Sequence, residues 1–465
     1  MPGNRSAWII AAPILIFSLL LGSCREGPPI APTERTSVAT LPLVTIQPST
    51  PTSSTTGGGE KTTVTVAAGA VGQELELARA AAQRYMLKHP DVKVKVLDTP
   101  DLVQDRLGLY LQFFQAKSPE LDIYQVDATW VGDLAEHFVD LYPYGAKDLA
   151  DQNFPAVIEN DTINDKLYAI PWSADAGLLY YRTDLLEKYG YNGPPKTWIE
   201  LEEMAKTIQD GERATNQDFW GFVWQGNAYE GLTCDALEWV NSNGGGKIIN
   251  EDQLITINNP EAVAALDMAA GWVNTISPPG VIGFAEEDAR KQFQAGNAAF
   301  MRNWSYAYSL ENASGSPIAG KFDVAPLPAG DSGHGAATLS GWQLAVSRYS
   351  LHPEVAASVA LFLASPEEQK IRAAHGNYNP TIISLYQDLD VMKAIPFSVT
   401  LYKVFGNVVA RPSTETAPKY NEFSKIFYTA VHDVLTGAKD GQTTVEEMVL
   451  NLQELLGFQS GAPQQ

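Results

Sequence analysis

Residues 63–98 read TVTVAAGAVGQELELARAAAQRYMLKHPDVKVKVLD, and this stretch decides the fold class. Thr63–Ala67 is short and rich in β-branched residues, which indicates a strand. In Glu74–His89 apolar residues recur at helical spacing, and Pro90 ends the pattern. Valines then alternate with lysines from residue 92 to residue 96, which predicts a second strand.

The chain continues in the same manner toward Asp127. Asp101–Ala116 has the pattern of an amphipathic helix, and Leu121–Val126 that of a buried strand. Alternation of strands and helices with short links predicts an α/β fold with a parallel sheet covered on both faces. Asp127 follows the third strand, at the edge where open α/β sheets bind ligands.

Helices predominate from about Ala262 onward, with short strands such as Gly341–Ser347 between them. Thr197, Ser365 and Thr444 each begin a capping-box pattern, and Asn259-Pro260 places proline at a first helical position. Gly376 and Gly457 have the pattern of helix C-termini.

Composition excludes two classes of protein. The 465 residues include 54 acidic and 32 basic side chains, which gives a formal charge of −22. No cluster of Lys and Arg occurs, so the chain lacks the electrostatic footprint of a nucleic-acid-binding protein. A hydrophobic content of 45 % excludes wholesale disorder, and the length suggests two or three domains.

The N-terminus has the layout of an export signal. Arg5 precedes an apolar run, Ala7–Leu21, which is shorter than the ~20 residues that span a bilayer. The run ends in Leu21-Gly22-Ser23-Cys24, which resembles the lipobox of bacterial lipoproteins. That resemblance implies removal of residues 1–23 and lipidation of Cys24, whose acyl chains would anchor the protein to a membrane.

Residues 24–62 are predicted to be a disordered tether. Between Arg25 and Thr62, 23 of 38 residues are Pro, Ser, Thr or Gly, which cannot bury enough apolar surface to offset the entropy of ordering. If Cys24 is lipidated, Cys234 is left as a lone thiol, and we expect it to be buried.

Motifs for catalysis are mostly absent. The sequence has no G-x-S-x-G, H-E-x-x-H, P-loop or C-x-x-C motif, and no two of its six histidines lie three or four apart. We therefore expect no metal and no cofactor. Paired carboxylates remain open, since a glycosidase needs only two facing a cleft. The candidates are Glu74, Asp127, Asp175, Glu230 and Asp235.

Aromatic residues in polar surroundings point instead to a sugar-binding cleft. Trp304 and Tyr306 lie beside an Arg-Asn pair, Trp342 follows Ser340-Gly341, and Asp175 lies in a segment with rings and an arginine. Sugar hydroxyls bind carboxylates, Arg and amides, while the C–H face of a pyranose rests on an aromatic ring.

At these residues the sequence resembles the trehalose/maltose-binding proteins, the extracytoplasmic solute-binding subunits of ABC sugar importers. The similarity extends from about Thr63 to about Gly457. It is carried by DAGLLYYRTDLLEKYGY at 175–191, FWGFVWQG at 219–226 with YEGL at 229–232, AGNAAF at 295–300, RNW at 302–304 and APLP at 325–328.

The resemblance implies a periplasmic-binding-protein-like fold of the maltose-binding type, with two α/β lobes joined by three crossings and the sugar between them. One lobe would hold residues 63–163 and 334–374, the other residues 164–333 and 375–458, with 459–465 as a tail. The sugar-binding residues implied by the matching motifs are Glu74, Arg106, Asp127, Asp175, Trp304, Tyr306, Ser340, Gly341, Trp342 and Arg411.

The resemblance also implies a function. The protein would be a monomeric receptor on the outer side of the cell membrane, facing the periplasm or the exterior. It would close on a small α-glucoside and deliver it to permease subunits that work with a cytoplasmic ATPase. Two alternatives remain at this point, namely a lipid-anchored glycosidase and a binding protein for a non-sugar osmolyte.

Two departures from the family's pattern bear on the ligand. Ser340 replaces the first glycine of the family's Gly-Gly-Trp, and Ser173 stands where a Tyr can stand. Both changes would reshape the floor of the pocket. Trehalose, maltose, sucrose and glucosylglycerol therefore all remain candidate ligands.

Overall fold

The computed structural model describes residues 61–69, 71–405 and 408–462. Its strands, numbered in chain order, are β1 (Thr62–Ala68), β2 (Val92–Asp98), β3 (Ile123–Asp127), β4 (Thr162–Ile163), β5 (Lys166–Leu167), β6 (Ile170–Ala176), β7 (Leu178–Arg182), β8 (Trp220–Val223), β9 (Leu254–Ile255), β10 (Ala298–Asn303), β11 (Phe322–Ala325), β12 (Ala337–Val346), β13 (Val408–Val409) and β14 (Gln459–Ser460).

Helices connect and cover these strands. They are α1 (Glu74–Lys88), α2 (Val103–Gln115), α3 (Trp130–Leu134), α4 (Lys147–Ala150), α5 (Pro155–Asp161), α6 (Thr183–Lys188), α7 (Trp198–Glu212), α8 (Glu230–Ser242), α9 (Pro260–Trp272), α10 (Glu286–Gln294), α11 (Ala307–Glu311), α12 (Pro353–Leu363), α13 (Pro366–Gly376), α14 (Leu389–Ala394), α15 (Ser398–Phe405), α16 (Ser413–Thr416), α17 (Tyr420–Leu435) and α18 (Gly441–Leu456). Short 3-10 helices cover Ala135–His137, Tyr142–Tyr144, Pro279–Gly283 and Ile383–Gln387.

The first sheet contains the strands predicted from residues 63–126. Its order is β13-β12-β3-β1-β2, with β6 paired to β12. Strand β1 is parallel to β2 and β3, as predicted, but β12 is antiparallel to both β3 and β6. The expectation of a purely parallel sheet is therefore wrong, because β12 enters from the other half of the molecule and runs against β3.

The second sheet has the order β11-β7-β10-β8. Strand β10 is parallel to β8 and antiparallel to β7. Its residues are all buried, and they pack in one core with the buried faces of α7, α8, α9 and α17. Two cores cover the two faces of the first sheet, so the molecule is a two-lobed α/β protein.

The chain passes between the lobes at three places. Trp172 packs in the first lobe and Ala176 in the second, Ala337 in the second and Leu344 in the first, and Ala364 in the first and Ala373 in the second. The first two passages are the strands β6 and β12, which pair with each other. The residues near 175 and 340 that were predicted to bind a sugar therefore lie where the lobes join.

The lobe boundaries predicted from the resemblance remain a proposal, and the structure adds two details. The predicted division assigns residues 164–175 to the second lobe, yet Ile170 and Trp172 pack in the first. The predicted tail begins at Gln459, yet Gln459–Ser460 pair with β9. The predicted signal peptide, Cys24 and nearly all of the tether lie outside the described residues.

Most helix ends follow the predicted signals. Thr197, Asn259 and Ser365 cap α7, α9 and α13 through side-chain hydrogen bonds, and Gly457 takes the left-handed conformation after α18. The prediction for Thr444 is wrong, because Asp440, four residues before it, caps α18.

The prediction that a helix ends at Gly376 is confirmed. Gly376 is the last residue of α13, and Asn377 takes the left-handed conformation that follows, which asparagine tolerates. Within the described ranges, no helix combines the length and apolar character needed to cross a membrane.

Candidate ligand-binding cavity

A cavity of about 70 Å³ lies between the two lobes. Nine of the ten residues named for sugar binding line it, namely Glu74, Asp127, Asp175, Trp304, Tyr306, Ser340, Gly341, Trp342 and Arg411. Small-molecule sites typically enclose ~300–1,000 Å³. The lobes or their side chains must therefore move to admit a sugar.

The first lobe contributes buried acceptors at the ends of its strands. Glu74 is the first residue of α1, where the positive end of the helix dipole stabilises the negative charge of its carboxylate. Its Oε1 accepts a hydrogen bond from Gln125 at 3.1 Å, while its Oε2 has no partner among the described residues. Burial raises the pKa of Glu74, and Arg106 opposes that shift. Asp127, at the end of β3, accepts hydrogen bonds from Thr129 at 2.7 and 2.9 Å.

Asp175 occupies the passage between the lobes. Its Oδ1 accepts hydrogen bonds from the backbone N–H groups of Ala176 at 2.9 Å and Ser305 at 3.2 Å. Burial nevertheless raises the pKa of Asp175 to about 7. The carboxyl group therefore changes protonation near neutral pH.

Arg411 joins the two sides of the cavity. Its guanidinium donates to Asp127 of the first lobe at 2.9 Å and to Glu230 of α8 at 2.7 Å. It also donates to the Ser340 hydroxyl at 3.4 Å. Only 5 % of the Arg411 surface is exposed, so these charge-assisted hydrogen bonds lie in a site with little water.

Each of the two indoles that line the cavity has an arginine on one face. The guanidinium carbon of Arg302 lies 3.8 Å from the centroid of Trp304, and that of Arg106 lies 4.4 Å from the centroid of Trp342. Arg302 is held by Glu238, at 2.6 and 2.9 Å, and by Asp235. The rings are thereby fixed in orientation, and one face of each is occupied.

Arg106 is the predicted residue that the structure does not bring to the cavity surface. It is fully buried, donates from Nε to the carbonyl of Pro100 and packs against Trp342. Its position is explained by Gly69, where a Cβ would lie 2.3 Å from both Arg106 and Glu74. Arg106 therefore acts on the cavity through Trp342 and through the charge of Glu74.

The glycine before Trp342 permits a close approach of two strands. A Cβ on Gly341 would lie 2.5 Å from the carbonyl oxygen of Ser173, so a larger residue would push β6 and β12 apart. Ser340 pairs with Asp175 across the same two strands. Gly341 therefore allows the close pairing of β6 and β12, the two strands that carry Asp175, Ser340 and Trp342.

The sugar-site prediction missed other residues that line the cavity, among them Glu230, Glu286 and Tyr378. Glu230, named above only as one of the paired carboxylates, bonds Arg411, Tyr420 and Ser424. Glu286, the first residue of α10, accepts from the hydroxyl of Tyr229 at 2.6 Å. Tyr378 stacks parallel to Tyr306 with centroids 6.4 Å apart. Glu286 and Tyr378 carry no sequence signal, because only the tertiary fold brings them to the cavity.

Cys234 also reaches this cavity and, as expected, is a free and buried thiol. Burial raises its pKa, so it is protonated at neutral pH and acts as a small apolar group. Across the described ranges, no group of three or more His, Cys, Asp and Glu side chains is placed to hold a metal ion.

Carboxylates, an arginine and aromatic rings thus converge between two lobes joined by three chain passages. Such a cavity fits a neutral ligand with many hydroxyl groups, because each hydroxyl can donate to a carboxylate and accept from the guanidinium. The fold and the cavity together define a two-lobed ligand-binding protein.

Comparisons with known proteins identify the family. Residues 70–370 match the model of the bacterial extracellular solute-binding proteins. A probable ABC transporter-binding protein of Deinococcus radiodurans is 50 % identical over 374 residues, which cover 80 % of this chain and 89 % of that protein. The chain therefore belongs to the bacterial extracellular solute-binding protein family.

Solved structures agree with this assignment. The maltose-bound MalE3 of T. maritima has a TM-score of 0.81 and 39 % identity, covering 85 % of this chain and 100 % of that one. A solute-binding protein of Thermotoga lettingae bound to α-D-tagatose has a TM-score of 0.75 and 24 % identity, covering 86 % and 100 %, and it supports the fold alone.

The predicted two-lobed fold is confirmed. The protein is an extracytoplasmic substrate-binding subunit of an ABC importer, of the maltose-binding-like kind, and it works with a permease and an ATPase. It is not an enzyme, so the glycosidase alternative is dropped.

Proposed function

We propose that this subunit binds a small α-glucoside in the interlobe cavity, and that closure of the lobes delivers the sugar to the permease. The observation that carries the proposal is the convergence of Asp127, Asp175, Arg411 and the two indoles on one cavity. Trehalose, maltose, sucrose and glucosylglycerol remain the candidate ligands. The relative of known structure with 39 % identity has maltose bound.

In the proposed complex the pyranose ring stacks on the free faces of Trp304 and Trp342. Their other faces are covered by Arg302 and Arg106. The hydroxyls at the ring edge donate to Asp127 and accept from Arg411. Contacts from both lobes stabilise the closed state only to the extent that the sugar binds it better than the open one.

Calorimetric titration with trehalose, maltose, sucrose and glucosylglycerol tests this function. We expect saturable binding of at least one of them, at micromolar Kd or below, or about −8 kcal/mol. The sugar recovered afterwards should be intact. Binding of none of the four would overturn the proposal and favour a non-sugar osmolyte.

We also propose that the mature protein is a monomer held at the outer face of the cell membrane by lipid on Cys24. The lipobox-like sequence Leu21-Gly22-Ser23-Cys24 supports this anchor. Labelling of cells with radioactive palmitate should mark the wild-type protein and not Cys24→Ser. Equal labelling of both would overturn the anchor, and light scattering of the purified protein tests the monomer.

A further inference from the structure

Arg372 is a buried cation at the third passage of the chain between the lobes. It lies in α13, between Ala364, which packs in the first lobe, and Ala373, which packs in the second. Only 3 % of its surface is exposed, and its Nε and both Nη atoms have no hydrogen-bond partner among the described residues. Burial of an ionised side chain without such partners costs stability, so packing alone does not account for an arginine at this position.

Two aromatic rings contact the guanidinium group of Arg372. Its central carbon lies 3.7 Å from the ring centroid of Trp172 and 4.6 Å from that of Tyr378. Trp172 belongs to the core of the first lobe and Tyr378 to that of the second. The rings stabilise the positive charge through their faces, and they take up none of the N–H groups.

Tyr378 connects Arg372 to the segment that carries Glu74. The Tyr378 hydroxyl donates to the carbonyl of Val71 at 2.9 Å and accepts from the backbone N–H of Gln73 at 3.0 Å. Glu74 follows directly as the first residue of α1 and lines the cavity. One tyrosine therefore contacts both the arginine and the residue before the glutamate.

Glu74 has one carboxylate oxygen free for a ligand. Its Oε2 is buried and has no partner within the described ranges, so neither Arg372 nor the Nη atoms of Arg106 bond to it. Burial raises the pKa of Glu74, whereas the charges of Arg106 and Arg372 oppose that shift. The two arginines therefore favour the ionised acceptor and still leave its second oxygen unoccupied.

The titratable and charged groups that act on the Glu74 carboxylate come from several elements. They are Asp101 before α2, Arg106 and Tyr110 of α2, Arg372 of α13 and Tyr378 beyond it. Burial raises the pKa of both tyrosines, so they are neutral at pH 7, and Asp101 disfavours a second negative charge nearby. The two arginines are therefore the groups that stabilise the charge on Glu74.

Arg372 keeps its positive charge at this position. Burial lowers the pKa of Arg372, but a guanidinium group loses its proton only far above neutral pH. The carboxylate of Glu368 also acts on Arg372, but both of its oxygens already accept from Arg84, at 2.7 and 2.5 Å. Of these two carboxylates, Glu74 is the one whose free oxygen faces the cavity side of the molecule.

We propose that Arg372 is a positioning residue of the binding site, whose charge acts through space to keep Glu74 a charged acceptor while Glu74 Oε2 stays open for a ligand hydroxyl. Arg372 does not line the cavity, and no sequence motif pointed to it. Because its N–H groups bond to nothing, it adds positive charge without using an acceptor that the ligand needs. This inference rests on the proposed function.

Carboxyl ¹³C NMR of the sugar-free protein tests the charge directly. The glutamate side chains are labelled with ¹³C, and Glu74→Gln assigns the Glu74 signal by its loss. We expect this signal to titrate at a higher pH in Arg372→Met than in the wild type, and at the wild-type pH in Arg372→Lys, which keeps the charge. Equal midpoints in Arg372→Met and the wild type would overturn the inference.

Calorimetric titrations at pH 6 and pH 8 extend the test to the ligand, with whichever of trehalose, maltose, sucrose and glucosylglycerol binds the wild type most tightly. The ratio of the Kd at pH 6 to the Kd at pH 8 should be about threefold or more larger in Arg372→Met than in the wild type, because more of Glu74 is then protonated at pH 6. Arg372→Lys should restore the wild-type ratio.

Arg213→Met is the matched control for the loss of a stacked arginine. Arg213 also contacts an indole, that of Trp220 at 4.0 Å, but it does not line the cavity. Its ratio of Kd values should equal that of the wild type.

Urea denaturation separates this role from a structural one. Arg372→Met should not lower the urea midpoint, because it removes a buried charge that has no hydrogen bonds. A lower midpoint together with a wild-type ratio of Kd values would overturn the inference, and so would equal ratios in Arg372→Met and Arg372→Lys. Failure of all four glycosides to bind the wild type would overturn the proposed function, whereas the NMR titration needs no sugar and decides the effect of Arg372 on Glu74 separately.

Discussion

Two tryptophans have different surroundings at the residue scale. Trp342 is half-buried and lines the cavity. Trp198 is 2 % exposed, begins α7 and donates to the Ser242 hydroxyl inside the second lobe. We therefore propose that Trp342 contacts the ligand, whereas Trp198 serves packing alone.

Trp342→Ala should weaken sugar binding by about tenfold or more, because it removes a stacking face. Trp198→Ala should leave the Kd within about twofold but lower the free energy of unfolding by about 3–5 kcal/mol. Calorimetry and urea denaturation of both variants give these values. Equal losses of affinity would contradict the assignment of Trp342 to the site.

The pKa of Asp175 predicts that binding depends on pH. Burial raises this pKa to about 7, so the carboxylate gains a proton as the pH falls from 8 to 6 and loses the charge that makes it a strong acceptor. If sugar binds the ionised form alone, affinity should fall by about tenfold over that range. Titrations of the wild type and Asp175→Asn at both pH values test this, and the variant should show a flat profile. A flat wild-type profile would contradict it.

The stability of the sugar-free protein should change with pH in the opposite sense. The folded-state pKa of Asp175, about 7, lies above the ordinary pKa of an aspartate, about 4, so between about pH 4 and 7 the folded state holds a proton that the unfolded state has lost. The contribution of Asp175 to the free energy of unfolding therefore rises as the pH falls from about 7 to about 4.

Much of the site could be predicted from sequence, and the exceptions share a cause. Asp127, Asp175 and Trp342, which lie on the strands β3, β6 and β12, were predicted from their motifs and line the cavity. Tyr378 and Glu286 were missed because each reaches the cavity through long-range packing. Arg106 was predicted to line the site, but it packs against Trp342 in the space that Gly69 leaves free.

At the scale of elements, the passage between β6 and β7 depends on one glycine. A Cβ on Gly177 would lie 2.1 Å from Glu238 and 2.8 Å from the Arg302 guanidinium, inside the ion cluster that supports Trp304. The chain can therefore pass from β6 to β7 beside this ion cluster only because residue 177 has no side chain.

Gly177→Ala should lower the free energy of unfolding by about 3 kcal/mol, because it separates a buried ion pair or strains the strands. Gly193→Ala is the control, since a Cβ there meets nothing within 4 Å, and it should change stability by less than about 0.5 kcal/mol. Urea denaturation measures both. Similar stability of the two variants would show that the cluster tolerates a methyl group.

At the scale of elements, prediction from sequence fails where two nearby residues offer competing signals for the same helix end. The helices of the first lobe followed from periodicity, since Glu74–Lys88 has clear apolar spacing and a proline two residues beyond its end. The start of α18 did not, because Asp440 and Thr444 both offer cap oxygens and Asp440 forms the bond. The strand at 341–347 was predicted, but its antiparallel pairing with β3 was not, because the two strands lie more than 200 residues apart in the chain.

At the scale of the whole molecule, Arg411 links the lobes without a ligand. It bonds Asp127 and Glu230, which belong to different lobes, so it stabilises the closed arrangement in this structure. A sugar that takes over Asp127 as a partner would exchange one interlobe contact for another.

Arg411→Met should shift the sugar-free protein toward the open arrangement, because two buried carboxylates would be left without their cation. Small-angle X-ray scattering should then give a larger radius of gyration than for the wild type. Arg182→Met is the matched control, since Arg182 pairs with Asp184 within the second lobe, and it should leave that radius unchanged. An unchanged radius in Arg411→Met would show that other contacts hold the lobes together.

The central claim is that one pyranose ring sits between Trp304 and Trp342, with hydroxyls on Asp127, Asp175 and Arg411. A crystal structure of the protein with its tightest-binding glycoside tests this most directly. We predict the ring in this cavity, in contact with both lobes. A sugar bound elsewhere, or held by one lobe alone, would contradict the account.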